Sequence, residues 1–284
     1  MENTKKRKKL GLALGAGAFR GVCHIGVIEA LEEHGIEIDV VTGCSMGAVI
    51  GGSYAAGIPI AEIKNTILAI KRKGKLIDFN IFTPRKGAVS GKKIHAFLNE
   101  SLGDILIENA KIPFAATAVD FKKAELVTFT SGTMRDILHA SMAIPGLFRP
   151  VSIGDYEMLV DGCVIENVPI EATRALGADV VIAVDPIGKP KEIKKISGII
   201  PSLRRSLKLS AWEREKRNLE KADITITPPM QGVTVFGLKH SAKSIIEGYN
   251  HTIEVIQQIK KLLEFGNGKA MTKTTSSMSI SFDK

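Results

Sequence analysis

Cysteine and aromatic residues are scarce in this sequence. The three cysteines, Cys23, Cys44 and Cys163, form an odd set without C-x-x-C spacing. This pattern fits reduced thiols better than a disulfide framework or a zinc site. Aromatic residues make up 5% of the chain, and no nucleic-acid-binding signature is present. We therefore expect reduced thiols, a cytoplasmic location, no metal or cofactor and no nucleic-acid partner.

Long apolar runs are also lacking. No segment approaches the roughly 18 uninterrupted apolar residues that span a bilayer. The N-terminal segment MENTKKRKK has no apolar core of the kind found in signal peptides. We expect a protein that is neither integral to a membrane nor exported, and the sequence gives no indication of its oligomeric state.

The composition is that of a folded globular protein. Hydrophobic residues make up 44% and charged residues 24% of the 284 residues, which is enough for one large domain with a buried core. The basic N-terminus and the Gly-, Ser-, Thr- and Lys-rich C-terminus offer little apolar surface. The sequence predicts a domain over 9–265 between flexible tails at 1–8 and 266–284.

Positive charge is concentrated in two segments of this basic chain, whose net charge is +9. Residues 2–9 carry five Lys or Arg against one Glu, and residues 189–221 carry eleven against four. Within 189–212, Ile, Leu and Trp212 alternate with the basic residues, a pattern suited to an anionic membrane surface. The sequence leaves two interpretations open, peripheral membrane contact and a solvated charged face.

Strand-like and helix-like segments alternate along the chain. LGLALGAG and IEIDVVTG each end in glycine before a helical pattern, and the uninterrupted apolar run ADVVIAVD is typical of a covered parallel strand. PFAATAVD and AELVTFT predict a hairpin, and EMLVDG a further strand. The pattern predicts an α/β fold. Helices are predicted near 22–34, 60–72, 90–101, 133–142, 171–176, 203–221 and 238–264, with a loop at 73–89.

The segment Gly43-Cys44-Ser45-Met46-Gly47 matches G-x-S-x-G between a predicted strand and a predicted helix. In this setting the two glycines allow a sharp turn that presents a nucleophilic serine. The N-terminus of the following helix favours developing negative charge beside that serine. Ser45 is therefore the candidate nucleophile, the alternative being a serine that only caps the helix.

The glycine-rich loop Gly15-Ala16-Gly17-Ala18 follows the first predicted strand, and its amides can converge on an anion. One candidate anion is the oxyanion of acyl transfer, which would lie opposite Ser45. Because alanine disfavours positive φ, we expect Gly15 and Gly17 to adopt any left-handed conformation in the loop. The other candidate, a dinucleotide with Asp39 on its ribose, fits poorly because the spacing is G-x-G-x-x-x-G.

A base for Ser45 is not found among the six histidines, which lie within or at the ends of predicted helices. Asp161 is the better candidate because it ends an apolar strand, where its carboxylate would lie at the edge of the sheet. A turn-forming Asp-Gly pair is the alternative role for this residue.

Three motifs in order, GAGAFRG with HIGV, GCSMG and VDGC, resemble the patatin-like phospholipase family, as do SMAIPGLFRPV and ENVPI. The resemblance implies a three-layer α/β/α sandwich around a mainly parallel sheet. It also implies a Ser45–Asp161 dyad without histidine, an acyl-serine intermediate, and an oxyanion held by the amides of the Gly15–Ala18 loop.

The activity implied is hydrolysis of a lipid or simple ester in lipid metabolism. Phe19, Arg20 and Met46 are predicted substrate contacts, although Arg20 could instead tie the glycine-rich loop to its surroundings. The altered loop leaves a second hypothesis open, a non-catalytic regulatory or lipid-binding protein with the same fold.

Overall fold

The computed structural model describes residues 7–73, 91–230, 233 and 240–264, and its centre is a mixed β-sheet. The strand order is β5-β6-β3-β2-β1-β7-β8, with β4 paired to β3. The strands are β1 (Leu10–Leu14), β2 (Val40–Cys44), β3 (Phe114–Asp120), β4 (Glu125–Phe129), β5 (Val151–Ile153), β6 (Tyr156–Asp161), β7 (Val180–Val184) and β8 (Ile224–Ile226).

Strands β3, β2, β1, β7 and β8 are parallel, and the remaining pairings are antiparallel. Strands β1, β2 and β7 are buried along their full length. This matches their uninterrupted apolar sequences, because a parallel strand is covered by helices on both faces.

Strand β3 fixes the positions of two other strands along one of its edges. The first residues of β3 pair with β2, and this pairing ends where Cys44 lies opposite Thr117. The last residues of β3 pair with β6, and this pairing begins where Asp161 lies opposite Ala118. Strand β4 pairs with the other edge over Ala116–Asp120. Because β2 is parallel and β6 antiparallel to β3, the carboxyl ends of β2 and β6 face each other along this edge.

Helices cover both faces of the sheet. Alternate residues of a strand face opposite sides, and in β1 Leu12 packs in the larger core while Ala13 packs in the smaller one. The larger core includes residues of α1, α2, α3, α4, α5 and α8, whereas α6 and the end of α7 border the smaller core. The helices are α1 (Cys23–Glu33), α2 (Met46–Ala55), α3 (Ile60–Lys73), α4 (Lys92–Leu102), α5 (Met134–Ser141), α6 (Ile170–Ala175), α7 (Ile199–Leu219) and α8 (Ser241–Glu264).

Helices α1 and α8 cross at two glycines. A Cβ atom on Gly26 would lie 1.9 Å from the Ile245 carbonyl oxygen, and one on Gly248 would lie 2.1 Å from the Cys23 carbonyl oxygen. Only glycine allows the two backbones to approach this closely. The crossing holds α1, which follows the glycine-rich loop, against the longest described helix.

The predicted three-layer α/β sandwich is confirmed, with two differences in its elements. Strand β5 was not predicted, and α7 begins at Ile199 rather than at residue 203. Pro201 lies in the first turn of α7, where a missing N–H costs no hydrogen bond, so it does not stop the helix.

The ends of the domain, at residues 9 and 265, stay a prediction. Arg7, which lies in the predicted N-terminal tail, contacts Glu37 and Asp39. The predicted loop at 73–89 and tail at 266–284 lie almost entirely outside the described residues. Within the described part of the chain, no helix is long and apolar enough to cross a bilayer.

Candidate active site

Ser45 occupies a sharp turn between β2 and α2. Its backbone has φ 55° and ψ −121°, a conformation that a non-glycine residue adopts only where its surroundings hold it. A Cβ atom on Gly43 would lie 2.4 Å from the Ala48 backbone, and one on Gly47 would lie 2.2 Å from the Leu14 carbonyl oxygen. The two glycines therefore permit the close approach of α2 to β2 and to the end of β1.

Asp161 ends β6, and the pairing of β3 directs it toward Ser45. Both side chains are almost fully buried, with 3% of Ser45 and 1% of Asp161 exposed. Asp161 Oδ1 accepts a hydrogen bond from the Cys163 amide at 3.0 Å and lies 3.5 Å from Cys44 Sγ. Asp161 Oδ2 is buried and has no hydrogen-bond partner among the described residues.

The environment of Asp161 makes it a stronger base than a solvated carboxylate. Burial raises its pKa, because removal from water disfavours the charged form. The Ser45 side chain and the Cys163 amide oppose this rise. The arrangement places an unengaged carboxylate oxygen in the same buried space as an alcohol.

The C-terminal end of α5 and the two residues after it contact both candidate residues and were not assigned a role from the sequence. The Ser45 amide donates to Ser141 Oγ at 2.8 Å, and this hydroxyl donates to the Thr117 carbonyl oxygen at 2.7 Å. The Asp161 amide donates to the Ala143 carbonyl oxygen at 2.9 Å. One short segment, SMA, thus fixes the backbone of both Ser45 and Asp161.

The glycine-rich loop has fewer free amides than the four predicted. The Gly15 amide donates to the Val184 carbonyl oxygen and the Ala16 amide to the Asn167 carbonyl oxygen. The amides of Gly17 and Ala18 donate no backbone hydrogen bond to any described residue. These two amides are therefore the donors left for an anion, and the expected contribution of Gly15 and Ala16 is corrected to a structural one.

The left-handed position in this loop is also not where it was predicted. Ala18 has φ 46°, whereas neither Gly15 nor Gly17 has positive φ. The glycines serve close packing instead, because a Cβ on Gly15 would lie 2.8 Å from the Val184 carbonyl oxygen and one on Gly17 2.8 Å from Pro186. The prediction that glycine must occupy the left-handed position was wrong.

Two buried polar residues, His24 and Asn167, form hydrogen bonds with the backbone of the glycine-rich loop. His24 Nε2 donates to the Gly15 carbonyl oxygen at 2.8 Å, and burial lowers the pKa of His24 to about 4, so the ring is neutral at pH 7. The carbonyl oxygen of Asn167 accepts a hydrogen bond from the Ala16 amide. Asn167 is itself held by two acids, because its backbone amide donates to Glu215 Oε2 and its side-chain amide donates to Asp185 Oδ1. These partners are distant in sequence, and no local pattern indicates them.

The three predicted substrate contacts all lie against protein. Arg20 Nε donates to the Val233 carbonyl oxygen at 3.2 Å, which supports the alternative that it ties the loop. Phe19 packs on the larger core, and Met46 is buried within that core beside Gly21. A substrate role for them stays a prediction.

Asp39 provides a test of the dinucleotide interpretation. It precedes β2, and its carboxylate accepts hydrogen bonds from the Leu10 amide and from Arg7, both at 2.7 Å. A ribose would lie at the opposite, carboxyl end of this strand. The structure therefore gives no support to dinucleotide binding.

Comparisons with known proteins identify the family of this chain. The sequence model of the patatin-like phospholipase family matches residues 12–174, which is more than half of the chain and includes both Ser45 and Asp161. The chain belongs to the patatin-like phospholipase family. An uncharacterised NTE-family protein of Mycobacterium tuberculosis is 35% identical over 178 residues, 62% of this chain and 48% of its own.

Lysophospholipase nte1 of Neurospora crassa is 34% identical over 183 residues, 63% of this chain and 12% of its own length. The chain therefore spans less than half of the mycobacterial relative and about an eighth of the fungal one. VipD from Legionella pneumophila has the same fold, with a TM-score of 0.52 at 13% identity, covering 89% of this chain and 67% of VipD.

Proposed function

We propose that this patatin-like protein is a lipid acyl hydrolase in which Ser45 is the nucleophile and Asp161 the base. The proposal is supported by the strained turn at Ser45 and by the buried Asp161, which has an unengaged oxygen and whose pKa is affected by the Ser45 side chain. Backbone strain of this kind costs about 1–3 kcal/mol and is found mainly where function requires it.

The reaction proceeds in two steps. Ser45 Oγ attacks the carbonyl carbon of the ester as its proton passes to Asp161 Oδ2, and the carbonyl oxygen becomes an oxyanion that the Gly17 and Ala18 amides stabilise. The ester bond breaks, and the leaving alcohol takes the proton from Asp161. Water then attacks the acyl-serine and gives a proton to Asp161, which returns it to Ser45 as the fatty acid leaves.

A carboxylate is a weak base for an alcohol, and the buried site compensates in two ways. Burial raises the pKa of Asp161, which makes it a better proton acceptor. Exclusion of water also strengthens the hydrogen bonds from preorganised amides to the oxyanion. We assign the larger part of catalysis to these amides, because their interaction grows only as negative charge develops.

The substrate class is a carboxylic ester of a lipid. The family and the fungal relative, which is named a lysophospholipase, support this class. We propose cytoplasmic action on phospholipid, lysophospholipid or simple ester, without a cofactor.

The test compares Ser45→Ala and Asp161→Asn with the unaltered protein. Each change is expected to reduce release of fatty acid at least about 1,000-fold, since loss of either member of a catalytic unit removes most of its rate enhancement. A fluorophosphonate should label the unaltered protein at Ser45 and fail to label Ser45→Ala.

The Ser53→Ala variant is a matched control, because Ser53 is a buried serine of α2 that follows the turn. It should keep both labelling and hydrolysis. Full activity of Asp161→Asn would refute the dyad. A folded, unaltered protein that takes no label would favour the alternative, a non-catalytic lipid-binding protein.

A further inference from the structure

Exposed hydrophobic side chains are concentrated in one segment, residues 187–209, which we call the docking face. Eight of the twelve exposed large hydrophobic residues in the described part of the chain lie there. Ile199 is 87% exposed and Ile200 71%. The eight are Ile187, Ile193, Ile196, Ile199, Ile200, Leu203, Leu207 and Leu209.

The first half of α7 arranges its apolar residues in a stripe. At 3.6 residues per turn, Ile199, Ile200, Leu203 and Leu207 fall on one side of the helix. Arg204 and Lys208 follow on the adjacent side. A single exposed Leu or Ile needs no explanation, but a contiguous stripe of this kind marks a surface that binds something.

The charge of the docking face identifies the chemistry of its partner. It contains seven basic residues and one acidic residue, Glu192, so its net charge is +6. The basic residues are Lys189, Lys191, Lys194, Lys195, Arg204, Arg205 and Lys208. Apolar side chains inserted among cations fit an anionic bilayer, where the cations meet headgroups and the apolar residues meet acyl chains.

Both ends of the docking face are attached to the candidate active site. At its start, Pro186 packs on Gly17 of the glycine-rich loop, and Asp185 accepts from the Ile187 and Gly188 amides. After its end, Glu215 of α7 accepts from Asn167, whose carbonyl oxygen holds the Ala16 amide. The segment therefore leaves and rejoins the body at the edge of the sheet where Ser45 lies.

Two further hydrogen bonds attach α7 to its surroundings. Arg205 donates to the Lys191 carbonyl oxygen at 2.9 Å and so joins α7 to the segment before it. Arg214, seven residues beyond Leu207, donates to the Val164 carbonyl oxygen at 3.1 Å. With a rise of about 1.5 Å per residue, Leu207 lies about 10 Å along the helix from this contact.

We propose that residues 187–209 dock on an anionic lipid bilayer and hold the site of Ser45 at the membrane surface. Docking would bring the candidate active site close to its lipid substrate, because the attached loop and helix lie at the edge of the sheet where Ser45 is found. Only this last step rests on the proposed hydrolase function; membrane binding itself does not require Ser45 to be catalytic.

The experiment measures binding of the full chain to vesicles of phosphatidylcholine containing phosphatidylglycerol, with phosphatidylcholine vesicles alone as the comparison. The unaltered protein should sediment with the anionic vesicles, less so as salt rises. The triple variant I199D/L203D/L207D should bind about 100-fold more weakly. Ile246→Asp, which changes a 57% exposed isoleucine of α8, is the matched control and should bind normally.

Hydrolysis separates this proposal from the previous one. The triple variant should lose hydrolysis of vesicle lipid while it keeps hydrolysis of a water-soluble short-chain ester, and Ser45→Ala should keep vesicle binding.

Three results would overturn docking: unaltered protein that does not bind, equal binding to neutral vesicles, or a triple variant that binds normally. A dimer that the triple variant dissociates, without vesicle binding, would assign the face to a second copy. Normal vesicle binding with no hydrolysis of any ester would overturn only the hydrolase.

Discussion

At the scale of single residues, the backbone of Ser45 is held by groups that take no part in the proposed chemistry. Ser141 is fully buried and bridges the Ser45 amide and the Thr117 carbonyl oxygen. Because the Ser45 amide is engaged in this way, it is not available to an oxyanion. We therefore expect Ser141 to act as a positioning residue for the proposed nucleophile.

Removal of the Ser141 hydroxyl should impair the reaction more than the fold. Ser141→Ala leaves the buried Ser45 amide without its acceptor, which costs about 1–3 kcal/mol, and frees the strained turn to relax. We expect kcat for a soluble ester to fall about 10- to 100-fold with little change in KM, and fluorophosphonate labelling to slow in parallel. Ser141→Thr, which keeps the hydroxyl, should recover part of the rate. Unchanged labelling of a destabilised Ser141→Ala protein would show that the role is structural only.

At the scale of elements, the glycine-rich loop lies between β1 and α1, and close packing against α8 restricts the position of α1. Helix α1 carries His24, which contacts the loop, and its crossing with α8 depends on direct backbone contact at Gly26 and Gly248. Backbone atoms cannot move aside as a flexible side chain can. The position of the loop is therefore coupled to the packing of α8.

A methyl group at this crossing should destabilise the protein. Gly248→Ala raises helix propensity by about 1 kcal/mol, but its Cβ collides with the Cys23 carbonyl oxygen. We expect a net loss of about 1–3 kcal/mol in the free energy of unfolding, measured by urea denaturation. Asn250→Ala, on the exposed side of the same helix, should be neutral or stabilising. Equal stability of the two variants would contradict the proposed close crossing.

At the scale of the whole molecule, one half-buried and one buried glutamate make stability depend on pH. Burial raises the pKa of Glu166 to about 7 and that of Glu215 to about 7, each from an ordinary value of 4.5. The folded state then binds more protons than the unfolded state between these values. The free energy of unfolding should consequently fall as pH rises from about 4.5 to about 7.

Glu166→Gln tests this dependence. The variant removes one half-buried carboxylate and should be more stable than the unaltered protein at pH 8, by an amount on the order of 2 kcal/mol, with the difference vanishing near about pH 4.5. Thermal or urea unfolding across this pH range measures it. Glu171→Gln is the control, since contact with Lys221 lowers the pKa of the exposed Glu171, and it should give no gain at pH 8. A Glu166→Gln profile parallel to that of the unaltered protein would refute the prediction.

The sequence was sufficient where structure depends on neighbouring residues. Apolar runs, glycines and helical spacing predicted most strands and helices, and the motifs placed Ser45 after β2 and Asp161 at the end of β6. Their catalytic roles stay predictions. The support of the site could not be predicted in this way, because Ser141 is 96 residues from Ser45 and Glu215 is 48 residues from Asn167. Which loop amides are free likewise depends on Val184 and Asn167, which only the assembled sheet brings near.

The shared edge of β3 has a consequence for the order of folding. Ser45 directly follows β2 and Asp161 ends β6, two strands that do not pair with each other, so their meeting is determined by the register of both strands on β3. Contacts between such distant segments form slowly, because a long loop must close before they gain any stability. Pairing of β2 with β3 alone leaves Ser45 without Asp161 beside it. Under the proposed dyad, hydrolysis requires both pairings, so we expect a chain in which β6 has not yet joined β3 to be inactive.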